Sequence, residues 1–247
     1  MVRLSLRDAL ITDDAFDSFA KLRELELLWV SGADATDAAV DHIATLPNLK
    51  TLRLGGKRIT DDAMLALSRV ATLEYLFLAG TSVTDQGLEL LTRLPRLTTL
   101  FIGADKLSAH AIGHLKGAAA LRTFGIGGAS ISDDTLTDLA GLPNLESLSL
   151  GYNARITGAG LKHLAPLKKL DFLGLNETGV TDDGLHSLTA LPALRQLFLS
   201  GTAVTDAGLE ALKLIKTLRF LTVPDAVSDQ AIEEFHKQTG VDFPGRR

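Results

Sequence analysis

The chain has 247 residues, a formal net charge of −5, 46% hydrophobic and 22% charged residues, and no cysteine. This composition is typical of a folded, water-soluble protein, and the lack of cysteine excludes disulfides, thiolate metal sites and cysteine nucleophiles. The acidic balance argues against general binding to nucleic acid or to anionic membranes.

The N-terminal residues, MVRLSLRDALITDD, do not combine a cationic segment with the apolar run of a signal peptide. No uncharged stretch reaches the length that spans a bilayer. We therefore expect no membrane association and a cytoplasmic location.

One sequence motif recurs along the whole chain. Aligned on its first leucine, it starts at Met1, Leu25, Leu49, Leu73, Leu97, Leu121, Leu145, Leu170, Leu194 and Leu218. The spacing is 24 residues, except for 25 in the seventh unit, where GYNARI carries one extra residue. A fixed period of this length predicts a solenoid. We expect one domain over residues 1–247, made of ten coils, with a C-terminal cap over about residues 228–247.

Each unit follows the pattern L-x-x-L-x-L-x-x-x-x-V-T-D-x-G-L-x-x-L-x-x-L-P-x. Alternating leucines at positions 4 and 6 indicate a strand with one buried face. Apolar residues at positions 16, 19 and 22 have helical spacing, as Met64, Leu67 and Val70 show in the third unit. Stacked coils therefore predict a parallel sheet with helices behind it, in which neighbouring coils bury each other's leucines.

Position 12 is Thr or Ser in every unit, the residue types that cap helix N-termini. These residues are Thr12, Thr36, Thr60, Thr84, Ser108, Ser132, Thr157, Thr181, Thr205 and Ser228. Asp follows in all units except those with Ala109 and Gly158, and we interpret it as favourable to the helix dipole. Position 15 is Gly or Ala in all units but that of Thr135, which we interpret as room for the helix backbones to approach the sheet. These residues are thus structural.

The repeated motif resembles the repeats of the leucine-rich-repeat family. Its VTDxGLxxL segment resembles the cysteine-containing class of these repeats, which is common in bacterial proteins and F-box adaptors. The resemblance implies a right-handed α/β solenoid, a horseshoe with a parallel sheet on the concave face and helices on the convex face. No F-box sequence is present, so the adaptor role is not carried over.

The family usually has Asn or Cys at position 9. That position holds Ala9, Ala33, Lys57, Thr81, Asp105, Ala129, Asn153, Thr178, Thr202 and Ala226. We expect the capping threonines, with some threonines of position 9, to replace the usual side-chain bonds to the turn.

Positions 3 and 5 flank the buried leucines and point to the open, concave face of the predicted sheet. They hold seven of the chain's thirteen aromatic residues: Trp29, Tyr75, Phe77, Phe101, Phe172, Phe198 and Phe220. Exposed aromatic residues are preferred anchors in protein interfaces. The alternative is that the rings pack along the sheet and cover leucine edges and each other. We favour binding, with Arg53 as a polar contact within the first group.

The remaining candidate chemistry is weak. His110 and His114 have the spacing of a metal-binding pair, but no third ligand is evident in the sequence. The GIGG stretch at residues 125–128 lacks the spacing of a phosphate loop. No His shares the predicted concave face with a Ser or Asp, so a nucleophile–base pair has no site. Basic and aromatic residues could stack single-stranded nucleic acid, but no continuous basic stripe supports this. We expect no enzyme activity, cofactor or metal.

The sequence therefore predicts a monomeric, non-catalytic module that binds another protein, and neither nucleic acid nor membrane. Its predicted binding residues are Trp29, Arg53, Tyr75, Phe77, Phe101, Phe172, Phe198 and Phe220. The alternative is a scaffold that self-assembles through exposed terminal coils, or the repeat part of a larger protein.

Overall fold

The computed structural model describes residues 2–7, 12–31, 35–128 and 131–244. The first unit start at Met1, the position-9 residues Ala9, Ala33 and Ala129, and the end of the expected cap at 245–247 lie outside the described residues. The chain forms two compact units. Unit 1 runs up to Arg122 and includes Gly128, while unit 2 comprises Thr123–Gly127 and the chain from Ile131 onward. The expectation of one domain over residues 1–247 stays a prediction.

Unit 1 contains five strands, which pair in parallel and in chain order. They are β1 (Val2–Arg7), β2 (Leu25–Ser31), β3 (Thr51–Gly55), β4 (Tyr75–Thr81) and β5 (Thr99–Ala104). Each strand is followed by a helix: a 3-10 helix at Asp13–Lys21, α1 (Asp37–Ile43), α2 (Asp61–Leu67), α3 (Asp85–Leu91) and a 3-10 helix at Ala111–Leu115.

Unit 2 repeats the arrangement with five further parallel strands in chain order. They are β6 (Thr123–Gly127), β7 (Ser147–Ser149), β8 (Phe172–Gly174), β9 (Gln196–Phe198) and β10 (Phe220–Thr222). The helices are 3-10 segments at Asp133–Gly141 and Gly158–Leu164, α4 (Asp182–Leu185) continued by a 3-10 segment at His186–Ala190, α5 (Asp206–Leu212) and α6 (Asp229–Thr239). The predicted fold class, with one strand and one helix per coil, is confirmed.

The repeated leucines form the core between the strands and the helices of each unit. On β3, Leu52 and Leu54 are at most 2% exposed, while Arg53 between them is exposed. Met64 and Leu67 of α2 are fully buried, as their helical spacing predicts. Several helices are 3-10 helices instead of α-helices. A 3-10 helix rises about 2.0 Å per residue against 1.5 Å in an α-helix, so it spans the return path of a short coil with fewer residues.

The aspartate of position 13 has a role that the sequence did not reveal: it joins successive coils. Asp61 accepts hydrogen bonds from Thr84 N at 2.8 Å and from Thr84 Oγ1 at 2.6 Å, 23 residues later. The same two-bond contact joins Asp13 to Thr36, Asp37 to Thr60, Asp85 to Ser108, Asp133 to Thr157, Asp182 to Thr205 and Asp206 to Ser228. Each carboxylate thus bonds both a backbone donor and a hydroxyl of the next coil.

The aspartate contact and a helix cap occur together in most coils. In six of the seven coils whose Thr or Ser is bound by the preceding aspartate, the hydroxyl also accepts a hydrogen bond from a backbone N–H of the first helical turn. In the seventh, Ser108 accepts from the N–H of His110, the residue just before the 3-10 helix. Thr12 and Thr181 make no such bond and Ser108 is not the N-cap of its helix, so the expectation of ten caps is wrong at these three coils. The coil before Thr181 has Gly158 in place of the aspartate. We attribute the difference to the carboxylate, which fixes the hydroxyl proton and leaves a lone pair for the helix.

The carboxylates at the two ends of this series titrate below their ordinary value. For Asp13, partial burial alone would raise the pKa, but the hydrogen bonds from Thr36 and the charges of Arg58 and His42 outweigh it and lower the pKa. For Asp206, hydrogen bonds from the N–H and the hydroxyl of Ser228 lower the pKa. A carboxylate with a lowered pKa stabilises the fold above its ordinary pKa, and loses that contribution as the pH falls through the folded value.

Small residues at position 15 make room for this contact. A Cβ atom on Gly87 would overlap the Asp61 carboxylate, and one on Gly208 would overlap that of Asp182. The space is therefore taken by the side chain of the preceding coil, a requirement that the interpretation from the sequence did not include. Ser132 follows the coil with Ala109, and its N–H donates instead to Thr135 Oγ1 at 3.1 Å.

The side chains at position 9 bond the turn backbone in three coils of unit 2. Thr178 and Thr202 each donate to the carbonyl three residues earlier, at 2.6 Å. Asn153 donates to the carbonyls of Ile126 and Leu150 at 2.9 and 2.8 Å. Threonines thus replace the expected asparagine at two coils, as the sequence predicted, and Asn153 keeps the family residue at the third.

We expect Asp61→Ala to lower the free energy of unfolding by about 1–3 kcal/mol, because it leaves the part-buried donors of Thr84 without an acceptor. Asp62→Ala is the matched control, since Asp62 is exposed and lies in the same helix turn. Urea unfolding followed by circular dichroism measures both variants. Equal midpoints for the two would show that the contact between coils contributes nothing to stability.

Candidate functional site

The side chains of positions 3 and 5 lie on the sheet face opposite the leucine core, which we call the open sheet face. In unit 1, Trp29, Arg53, Phe77 and Phe101 occupy one register row across β2 to β5. Tyr75 precedes Phe77 by two residues on the same side of β4, in register with Thr51 and Thr99. Parallel strands lie about 4.8 Å apart, so side chains in one row are immediate neighbours. We call these five residues the unit 1 cluster: Trp29, Arg53, Tyr75, Phe77 and Phe101.

Within the unit 1 cluster the side chains contact one another and still reach solvent. The Arg53 Cζ lies 4.6 Å from the centroid of the Trp29 ring and 5.4 Å from that of Phe77. The Phe77 and Phe101 centroids are 6.0 Å apart, with the rings tilted by 38°. Tyr75 and Phe77 are 48% and 38% exposed, Arg53 is exposed, and Trp29 and Phe101 are half-buried. The middle of the row therefore offers aromatic surface and a positive charge to solvent.

In unit 2, three aromatic residues form the unit 2 cluster: Phe172, Phe198 and Phe220. Phe172 and Phe220 lie in register on either side of Gln196, and the centroids of Phe172 and Phe198 are 5.0 Å apart. Phe172 leans over Gly174, where an added Cβ would meet its ring at 3.3 Å. Phe220 is 44% exposed, whereas Phe172 and Phe198 are half-buried. Packing of rings on the sheet thus accounts for part of this cluster.

The structure places all eight predicted binding residues on an open sheet face, five in unit 1 and three in unit 2. It separates them by exposure, which the sequence did not. Tyr75, Phe77 and Phe220 are each more than one-third exposed, and these rings are the ones free to contact a partner. Whether the site residues bind a partner stays a prediction.

One exposed aromatic residue was not predicted. Tyr152 is 84% exposed and has a φ of 64°. It lies in the GYNARI stretch, so the extra residue of the seventh unit was the signal that could have identified it. Its backbone N–H donates to Asn176 O at 2.8 Å, which holds the turn while the ring extends into solvent.

The described residues show little that could hold a cofactor or metal. His114 lies 3.5 Å from Glu89 and 3.9 Å from Asp85, in the helical region of unit 1. No group of three or more His, Asp and Glu side chains in the described ranges is arranged to hold a metal ion. A groove of about 440 Å³ lies beside α2 and α3, lined by residues that include Leu65 and Arg93. None of the helices in the described part of the chain has the length and apolar character needed to cross a bilayer.

Comparisons with known proteins agree with the repeat architecture. Residues 141–165 match a family model described as a leucine-rich repeat. No curated protein is significantly similar to the sequence. The similarity to solved structures covers a larger part of the chain than the match to the family model.

Three solved structures from bacteria are similar in fold. An internalin (InlF) from Listeria monocytogenes is 20% identical, with 93% of this chain and 70% of that chain covered and a TM-score of 0.61. An internalin C2 from the same species is 27% identical, with 79% and 77% covered and a TM-score of 0.54. A Bacteroides fragilis protein is 20% identical, with 80% and 65% covered and a TM-score of 0.57. The identities of 20% show a shared fold alone.

Proposed function

Since the chain is a leucine-rich-repeat protein, we propose that it binds a partner protein through the aromatic residues of its open sheet faces. The observation that carries the proposal is the middle of the unit 1 cluster, where Tyr75 and Phe77 are 48% and 38% exposed beside Arg53. Exposed aromatic and arginine side chains are the residue types most enriched among the residues that dominate binding energy. The Phe220 ring, 44% exposed, is the corresponding anchor of unit 2.

The proposed binding role involves no catalysed reaction. The open sheet faces hold rings, small residues and scattered charges, and a nucleophile with an adjacent base is not among the described residues there. We therefore propose a non-catalytic role for a monomer, in which the sheet faces recognise a protein surface and the helices and leucine core keep those faces rigid.

The test is a pull-down from native cell extract that compares wild type with a Tyr75→Ala, Phe77→Ala double variant. Phe101 is left unchanged because it is half-buried and its loss would also affect packing. Tyr152→Ala is the control, since it removes an even more exposed ring outside both clusters. We expect a protein that wild type and the control retain and the double variant loses. Equal retention by all three would contradict the proposal.

A specific observation favours self-assembly as a second candidate function. Val2 of the edge strand β1 is 52% exposed, and Leu4 and Leu6 are only half-buried. Their register partners on β2, Leu28 and Val30, are fully buried. An exposed strand edge with apolar side chains can pair with another chain. Light scattering over a concentration series decides between the two, because edge pairing predicts a mass that rises with concentration and a monomeric binder predicts a constant mass.

A further inference from the structure

We infer that Arg53 recognises an acidic side chain of the partner protein, flanked in that partner by apolar residues. The inference rests on the proposed function and specifies the chemistry of the partner at the unit 1 cluster. It depends on three observations: the guanidinium is held between two rings, its donors have no acceptor among the described residues, and its exposed neighbours on β4 are aromatic.

The neighbouring strands hold the guanidinium in place. Arg53 lies between Trp29 and Phe77 in the register row, with Cζ 4.6 and 5.4 Å from the two ring centroids. Attraction between a cation and an aromatic ring favours this position, and rings on both sides restrict the side chain. A restricted arginine loses less conformational entropy when it binds, so its hydrogen bonds contribute more to affinity.

The donors of this guanidinium are unused within the described protein. Arg53 forms neither an ion pair nor a side-chain hydrogen bond with the residues that the structure describes, although five N–H groups are available. The basic residues at position 2 of the repeat, just before the strands, differ. Arg195 pairs with Asp171 at 3.2 Å, and Lys50 lies 3.4 Å from Glu26. Arg122 and Arg219 donate to backbone carbonyls one to three residues earlier in the chain. Arg53 thus differs from these four because, among the described residues, its charge lies against aromatic rings and not against an acceptor.

A carboxylate fits these donors. Two parallel N–H groups of an arginine match the two oxygens of a carboxylate, and such bidentate bonds are stronger than bonds between neutral groups. The rings of Trp29 and Phe77 lie against the guanidinium and reduce its contact with water, which strengthens its attraction to a carboxylate. Tyr75 and Phe77 are two residues apart on β4, the strand next to Arg53, and Phe77 is in register with Arg53. We therefore expect the acidic residue of the partner to have apolar neighbours that cover these rings.

The surroundings favour a protein carboxylate over the phosphates of a nucleic acid. Nucleic-acid binding relies on several unpaired cations along one path, because each neutralised phosphate contributes to affinity. Here Lys50 is already beside Glu26, Glu74 lies one residue before Tyr75, and the chain carries a formal net charge of −5. One unpaired arginine between rings suits a single acidic side chain better than a polyanion.

The experiment selects peptides from a phage-displayed random library on immobilised wild type, and measures the selected peptides by fluorescence anisotropy. We expect enrichment of Asp or Glu next to apolar residues, and a loss of affinity of about tenfold or more with Arg53→Gln. Arg195→Gln is the matched control, because it removes an exposed strand-flanking arginine that already has a partner, and should leave the affinity unchanged. In a second selection, Arg53→Glu should enrich Lys or Arg in place of acidic residues.

The outcomes separate the inference from the proposed function. Peptides that require Phe77 but show no excess of acidic residues overturn the inference and leave the proposed function standing. Peptides that bind equally to wild type, Phe77→Ala and Arg53→Gln count against both. An empty selection also counts against the inference, and the pull-down then decides the proposed function alone. A single-stranded oligonucleotide that binds more tightly than any peptide, and is lost in Arg53→Gln, would assign the residue to phosphate instead.

Discussion

Replacing Gly184 by alanine is expected to lower the free energy of unfolding by about 3 kcal/mol, since it overpacks a site that has no space for a methyl group. Gly184 lies in α4, directly against Gly158 at the start of the preceding helix. A Cβ on Gly184 would overlap the Cα and the carbonyl oxygen of Gly158, and a Cβ on Gly158 would in turn overlap the backbone of Gly184. Backbone atoms on both sides mean that no side-chain rotation can relieve the overlap.

The matched control is Gly103→Ala in β5. The nearest atom to a Cβ there is Leu78 O at 4.0 Å, so alanine fits without displacing anything. We expect this variant to unfold within about 1 kcal/mol of wild type, because a glycine in a strand interior contributes no packing of its own. Urea unfolding of both variants is the measurement. Similar midpoints for Gly184→Ala and Gly103→Ala would show that the two coils can separate at little energetic cost.

The glycine pair also explains why the coil at Gly158 departs from the repeat. Elsewhere an aspartate at position 13 bonds the next coil, and Gly or Ala at position 15 leaves it room, as with Asp182 and Gly208. With Gly158 in that position, the two backbones meet directly and the aspartate contact is lost. Backbone contact thus replaces a side-chain contact at this junction.

Much of the fold was predictable because the same pattern of buried apolar residues recurs in each of the ten units. The alternation of leucines identified the strands, and the spacing of residues such as Met64 and Leu67 identified the buried side of a helix. The contact of Asp61 with Thr84 was not predictable from one unit, because the two residues are 23 positions apart and belong to different coils. The sequence pattern contained both residues but did not show that they meet.

The candidate site was predictable in position but not in exposure. Strand alternation placed Phe77 and Phe172 alike on the open sheet face, and both lie there. Their exposure differs because it depends on neighbouring residues. Phe172 leans into the space above Gly174 and packs on Phe198, whereas Phe77 lies beside Arg53 and remains 38% exposed. The exposure of each ring depends on the side chains of neighbouring strands, which the alternation within one strand does not specify.

This difference in exposure gives a prediction that separates binding from packing. Phe77→Ala is expected to weaken binding of the captured partner by about thirtyfold, equivalent to about 2 kcal/mol, since it removes an exposed ring at the centre of the unit 1 cluster. Its free energy of unfolding should fall by less than about 1 kcal/mol, because much of the ring is already in water. Phe220→Ala should behave in the same way in unit 2, where the ring is 44% exposed.

Phe172→Ala, in contrast to Phe77→Ala, is expected to lower the free energy of unfolding by about 1–2 kcal/mol. The half-buried ring gives up its packing on Phe198, 5.0 Å away, and on Gly174, and so leaves an unfilled space on the sheet. Calorimetric titration of the partner and thermal unfolding, measured on the same preparations, give both quantities for each variant. If Phe77→Ala loses stability and retains affinity, the aromatic row serves to cover the sheet, and the site for a partner must lie elsewhere on the chain.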